Sequence, residues 1–241
     1  VLSNEIKTGS RFFDSYGYKF ASLHLDITPN RPDALSHQGV ARDIACRTNR
    51  NLRKLMIDRA SYGGDTPVKI KVECVDDCPR YLFGIMDNIK VGPSPDWLVT
   101  RLKSCGKRSV NNIVDISNYV LLELGHPSHI FDYDAIESEE ILVRRAKANE
   151  TFVTLDDQKY KLDNDNLVIT NGRKPIALAG IMGGLNSAIT DNTKSILIEC
   201  AYFDPIIIRK SSKKLSLLTD SSKVFERGAD PNMCEIIFLR M

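Results

Sequence analysis

Beyond Glu140 the apolar residues come in short bursts, EILVRRA, TFVTL, KYKL, NLVIT and PIALAG, each of strand length and each bounded by polar or turn residues. Asp156-Asp157 and Asn171-Gly172 supply turn chemistry between them, Asn-Gly being a strong hairpin signal. SILIECA adds one more strand. Asp204-Pro205 then offers a cap and a first-turn proline to a helix through IIIRKSSKKL.

The first half of the chain is organised differently. From Tyr18 to Thr28 the run YKFASLHLDIT alternates apolar and polar residues between Phe20 and Ile27, which predicts a strand. Pro29 and Pro32 break it, and Asp33 is placed to cap a helix through ALSHQGVARDIACRTN, with Leu35, Val40, Ile44 and Ala45 on one face. SYGGDTP, Ser61 to Pro67, has linker composition and predicts a domain boundary. PVKIKVE and YLFGIMDNIKV read as strands. Pro95 starts a helix through DWLVTRLKS that Gly106 ends, and a second helix runs from about Val110 to Leu124 with Gly125 as its stop. Neither a regular strand-helix alternation nor an all-β pattern results, so the predicted class is α+β.

Composition narrows the options. With 241 residues, 42% of them hydrophobic, the chain can bury a substantial core. Its 33 Lys and Arg against 31 Asp and Glu leave a net charge of +2, so any contact with RNA must be local. Of the six cysteines only Cys74 and Cys78 lie close enough to suggest half a metal site, and no second pair has zinc spacing. No signal peptide and no membrane-length apolar run is visible, which points to a reduced, cytoplasmic protein with no membrane partner. The chain begins with Val1 and stops within an apolar segment, CEIIFLRM, and reads as a piece of something longer.

Four segments concentrate chemistry beside apolar sequence. SNYVLLELGHPSHIFDYD puts Ser117 and Asn118 on a helix, and His126 and His129 just past its Gly125 stop; the histidines either form a small hydrogen-bonding site or satisfy backbone carbonyls. LAGIMGG leaves the amides around Gly180, Gly183 and Gly184 open to a ligand, unless the glycines only serve turns; its spacing fits neither dinucleotide nor P-loop binding. In ILIECA, Glu199 either points to solvent by alternation or is buried because something binds it. SLLTDSSKVFERGADP is rich in hydroxyls and follows Arg209, Lys210, Lys213 and Lys214, which either meet phosphates or form a solvated face.

Taken together, ITPNRPDALSHQGVARDIA, SNYVLLELGHPSHIFDYD, LAGIMGG, ILIECAYFDPIIIRK and FERGADP resemble, in the same order, the β subunit of bacterial phenylalanyl-tRNA synthetase. The resemblance spans Tyr18 to about Pro231. It implies a β-sandwich-like sheet core of unusual topology with flanking helices, preceded by part of a small helical domain. Residues 1–66 would be the C-terminal part of that domain with its linker, 67–228 the editing domain, and 229–241 the start of a following domain. The full enzyme joins phenylalanine to its tRNA with ATP and Mg2+, as an α2β2 assembly with the α subunit. This stretch would hold neither ATP nor metal and would not aminoacylate, but would hydrolyse tyrosine wrongly attached to the 3′ end of phenylalanine tRNA.

Carried over residue by residue, the resemblance makes Glu199 the group that recognises the tyrosine hydroxyl. Gly183 keeps the pocket open, and Ala179 and Gly180 line it. His129 and Asn118 lie around the ester and terminal adenosine, with His129 orienting water or moving a proton. Thr219 is a pocket threonine, and the amides from Gly180 to Gly184 are candidate oxyanion donors. Three positions depart from the family pattern: Ser117 stands where threonine is common, His126 where glutamine is, and Ser221 where alanine is, adding a hydroxyl near the pocket. Two further readings remain open at this point, a scaffold or tRNA- and subunit-binding module whose editing site has decayed, and a free-standing deacylase.

Overall fold

The computed structural model describes residues 7–11, 22–57, 64 and 66–241. The predicted strand from Tyr18 falls partly outside these residues. Residues 22–28 form no strand, since alternation alone supplies no neighbour for the backbone ladder. The predicted linker lies largely outside the described residues as well.

After a 3-10 turn, Pro32–Ala34, helix α1 spans His37–Arg47. Its cap is Ser36, whose hydroxyl accepts the Gly39 amide at 3.0 Å, and not Asp33. The carboxylate of Asp33 is taken by the Arg31 guanidinium at 2.9 Å, which leaves capping to the next hydroxyl along the chain. Helix α1 packs on the later helix Asn112–Leu124, where His37 Nδ1 lies 2.9 Å from the Leu122 carbonyl.

Strands β1 (Lys69–Val72) and β2 (Arg80–Met86) lead into helices α2 (Asp96–Ser104) and α3 (Asn112–Leu124). Asn111 caps α3, and Gly125, at φ +76°, stops it as predicted. There follow β3 (His129–Asp132), a single-turn helix α4 (Tyr133–Ile136), β4 (Glu140–Arg145), β5 (Glu150–Val153), β6 (Lys159–Leu162), β7 (Leu167–Thr170), β8 (Pro175–Leu178) and β9 (Met182–Gly183). Then come β10 (Ile196–Tyr202), α5 (Pro205–Leu215), α6 (Asp220–Phe225) and α7 (Met233–Arg240). Asp204 caps α5 through the amides of Ile206 and Ile207, with Pro205 in its first turn.

Two sheets make the core. One has five strands in the order β1-β4-β7-β8-β9, with β1 parallel to β4; the other has three, β2-β10-β3, all antiparallel. The β5–β6 hairpin stands apart and reaches β9 through a bridge between Thr154 and Gly184.

Strand β10 is covered on both faces. Leu197 and Ala201 belong to the core shared with the five-stranded sheet, while Ile196, Ile198 and Cys200 pack with residues of α3 and α7 on the other side. Residues 229–241 lay α7 against β2 and β10, with Cys234 and Ile237 fully buried. Burying Ile237 alone stabilises by roughly 1.5–3 kcal/mol, which ties the segment to this core. Among the described residues no helix is long and apolar enough to cross a membrane.

Candidate functional site

Because both faces of β10 are covered, Glu199 has no solvent side to choose. It shares its face with Leu197 and Ala201 and is 4% exposed, against the default that alternation suggests. In register it sits between Phe83 of β2 and His129 of β3, and cross-strand partners on one face lie within side-chain reach. The Tyr81 hydroxyl donates to Glu199 Oε2 at 3.1 Å, and Oε1 has no hydrogen-bond partner among the described residues.

Facing it across the sandwich is the LAGIMGG segment. Ala179 and Gly180 make the turn from β8 to β9, closed by the Ile181 amide on the Leu178 carbonyl at 3.0 Å, with Gly180 at φ +66° where a side chain is strained. Gly183 answers a different need. A Cβ there would stand 2.4 Å from Cε1 and 2.6 Å from Nε2 of His129, so the imidazole lies directly against this backbone. His129 also meets the Phe131 ring edge-on at 4.4 Å, and neither of its nitrogens has a hydrogen-bond partner among the described residues.

Between these groups lies a small cavity of about 40 Å³, lined by His129, Gly180, Gly183, Glu199 and Ser221 together with Ser128, Phe203 and Phe225. That is the room of one or two waters at ~30 Å³ each. Thus five of the ten residues singled out in the sequence converge, although they come from separate strands and a helix.

The other five do not line it. Thr219 caps α6 by accepting the Ser222 amide, and its hydroxyl donates to the Ile181 carbonyl at 2.8 Å, which fixes the glycine turn from behind. Ser117 Oγ is 3.2 Å from the hydroxyl of Ser128 and so reaches the cavity at one remove. Asn118 is half-buried on α3. Ala179 is buried, its amide donating to the Leu167 carbonyl. The Gly184 amide donates to the Ile176 carbonyl at 2.8 Å, so it and the Ile181 amide are already engaged and are not open oxyanion donors.

His126, the second histidine of the loop, is fully buried behind the site, with Nε2 3.0 Å from the Ala201 carbonyl. Of the basic residues on α5, all exposed, Lys214 pairs with Asp163 and Asp165, as expected of a solvated face. Cys78 is buried with Sγ near the Arg80 carbonyl, and no group of three or more metal-binding side chains occurs among the described residues. Tyr81 was missed. Its alternation with Phe83 and Ile85 marks a strand face, but only the β2–β10 register reveals the partner 118 residues away.

Burial sets the electrostatics. It pushes the Glu199 carboxyl up to about 8, with the Tyr81 hydrogen bond pulling the other way, and pushes His129 down to about 4. Near pH 7 both groups are therefore largely uncharged, and His129 accepts hydrogen bonds more readily than protons.

These shifts predict a pH signature. An acid raised in the folded state favours folding fully below its unfolded value of about 4.3 and loses that contribution as pH rises through about 8. His129, depressed to about 4, does the opposite, its contribution growing as pH rises towards its unfolded value of about 6.5. The two offset each other up to about pH 6.5, above which Glu199 acts alone. The stability of Glu199→Gln relative to wild type is expected to increase steadily from about pH 4.5 to 8, by a few kcal/mol in all. Urea melts across this range check it; a pH-independent difference would show that the carboxyl is not desolvated in the fold.

The B3/4 domain family matches residues 77–241. The chain is 44% identical over 239 residues to the phenylalanine--tRNA ligase beta subunit of Syntrophotalea carbinolica, covering 98% of this chain and 30% of that protein. It is 42% identical over 236 residues to the corresponding subunit of Thermotoga maritima, with the same coverage. Among solved structures, an N-terminal fragment of the phenylalanyl-tRNA synthetase beta subunit from Pyrococcus horikoshii matches with a TM-score of 0.42 and 19% identity, over 71% of this chain and 52% of that one. The chain spans about a third of the length of the curated relatives it matches. It belongs to the B3/4 domain family, in the form carried by phenylalanyl-tRNA synthetase β subunits.

Proposed function

We propose that the cavity between the two sheets is a proofreading site, which hydrolyses tyrosine mis-attached to the 3′ end of phenylalanine tRNA. The observation that carries this reading is Glu199, a carboxyl held 4% exposed at the wall of a cavity, with Tyr81 as its one hydrogen-bond partner among the described residues. Burying such a group costs several kcal/mol unless it is used.

Tyrosine exceeds phenylalanine by one hydroxyl, which an apolar pocket rejects only about a hundredfold. A site that hydrogen-bonds the hydroxyl instead excludes phenylalanine by about ten-thousandfold, because the cognate ring leaves the polar group unpaired. Glu199 offers the phenol a partner in either protonation state, accepting through a carboxylate or donating through a carboxylic acid.

The free cavity is too small for the ring, and His129 lies against Gly183 within it. Admission of a tyrosyl group therefore requires the imidazole to swing away from Gly183, after which it borders the ester. There its neutral nitrogens orient a water. The water attacks the acyl carbon, the acyl–oxygen bond to the ribose breaks, and the ribose oxygen takes the proton, releasing tyrosine and free tRNA. The hydroxyl of Ser221, at the cavity wall, supplies a donor to the developing oxyanion in place of the engaged Ile181 and Gly184 amides. The ester is already activated, so positioning supplies much of the rate. Attachment of phenylalanine, with ATP, Mg2+ and the α subunit, belongs to the rest of the synthetase.

The test uses the complete synthetase with pre-formed tyrosyl- and phenylalanyl-tRNA. Tyrosyl-tRNA is expected to be hydrolysed at least about a thousandfold faster than phenylalanyl-tRNA, in line with rejection of an analogue that lacks the hydroxyl. Equal rates would refute hydroxyl recognition.

A further inference from the structure

Resting on the proofreading role, we infer that Tyr81 is a positioning residue for the hydroxyl-reading carboxyl: its phenol holds Oε2 of Glu199 and so leaves Oε1 to the hydroxyl of the substrate.

The geometry is set by the sheet. Tyr81 pairs with Ala201 and Phe83 with Glu199, so Tyr81 stands one pleat along β2, on the same face as the carboxyl, and its hydroxyl reaches back to Oε2 at 3.1 Å. A carboxyl has two oxygens and can engage two phenols at once, one on each. In the free protein Tyr81 already makes the phenol–carboxyl contact that a tyrosyl substrate would make on the other oxygen. A Glu side chain has three rotatable bonds, and in a cavity with room for a water or two an untethered carboxyl is free to change rotamer. The Tyr81 bond removes that freedom before substrate arrives, which is how preorganisation adds selectivity.

Among the described residues no other side chain hydrogen-bonds the carboxyl. The titratable side chains near Glu199 are His129 on β3, Tyr81 on β2, Cys78 before β2, Cys200 on β10 and Cys234 on α7. The opposing wall, Ile169, Ala177, Leu178, Met182 and Gly183, carries no charge, and α6 contributes Ser221 and Phe225. Burial and the nearby carboxyl hold the Tyr81 phenol well above its usual range, so it remains a donor at every working pH. Its bond lowers the carboxyl's affinity for a proton, and its loss raises it.

Tyr81→Phe keeps the ring and removes only the hydroxyl. In the complete synthetase it is expected to lower kcat/KM for tyrosyl-tRNA hydrolysis roughly five- to hundredfold, the cost of leaving a buried polar group without its hydrogen-bond partner, chiefly through KM. The limb of the pH profile that reports Glu199 should move to higher pH. In a Glu199→Ala background the same change should alter the rate by less than about twofold, since Tyr81 acts through the carboxyl. A Tyr81→Phe enzyme that charges and melts like wild type and keeps its hydrolysis rate and pH profile overturns the inference. So does an equal loss in both backgrounds, which indicates a structural role. If the wild-type enzyme does not hydrolyse tyrosyl-tRNA at all, the proofreading function itself fails, and the roles of both residues fail with it.

Discussion

Gly183→Trp is expected to slow tyrosyl-tRNA hydrolysis by about a hundredfold or more while phenylalanine charging continues, so that mischarged tRNA accumulates. The first atom of any side chain there already collides with the His129 ring, at 2.4 and 2.6 Å, and approaches Leu155 Cδ1 at 3.2 Å. An indole extends several ångströms further and fills the space that His129 must vacate for a tyrosyl ring. Gly183 lies outside the positive-φ glycines, so the backbone tolerates a side chain and the effect is steric. Deacylation of purified tyrosyl-tRNA, with melting temperature as a control for folding, measures it. A Trp variant with wild-type stability and a wild-type rate would show that this glycine does not border the pocket.

Glu199→Ala should have the second largest effect, on selectivity more than on folding. Loss of the hydroxyl's partner is expected to lower tyrosyl-tRNA hydrolysis by about 10- to 150-fold, the equivalent of roughly 1.5–3 kcal/mol. Phenylalanyl-tRNA, whose ring no longer leaves a buried carboxyl unpaired, should be hydrolysed faster than before, and phenylalanine attachment should be unchanged. The substitution strands the Tyr81 hydroxyl and leaves a small void, but it also removes a carboxyl that burial disfavours, so the net change in stability should be modest. Parallel loss of hydrolysis and charging would point to a folding defect and remove the specificity argument.

Much of the fold was legible because it is local. The strands beyond Glu140, the Asp204–Pro205 start of α5 and the Gly125 stop of α3 follow from period, cap and turn chemistry within a few residues. Errors arose where a distant group competed. Asp33 would cap α1 in isolation, but Arg31, which also reaches Asp43 at 2.9 Å, takes its carboxylate. Residues 22–28 alternate like a strand yet pair with no strand among the described residues. Glu199 illustrates the limit most clearly: alternation assumes that one face of a strand meets water, and β10 has the larger sheet on one side and α3 and α7 on the other. The continuous apolar run around it was the available signal of burial on both faces. For the site, Glu199, His129 and the glycines stood out as residue types, whereas the supporting role of Thr219 and the contact from Tyr81 depend on packing across 38 and 118 residues of chain.

The most direct test of the central claim is a crystal structure of the complete synthetase with a non-hydrolysable analogue of tyrosyl-adenosine. The account predicts the phenol oxygen within about 3 Å of Glu199 Oε1, the ring against the Gly183 backbone and the His129 imidazole displaced towards the acyl group. An analogue bound elsewhere, with His129 still seated on Gly183 and Glu199 Oε1 unpaired, would contradict it and leave this region as a scaffold that binds partners without proofreading.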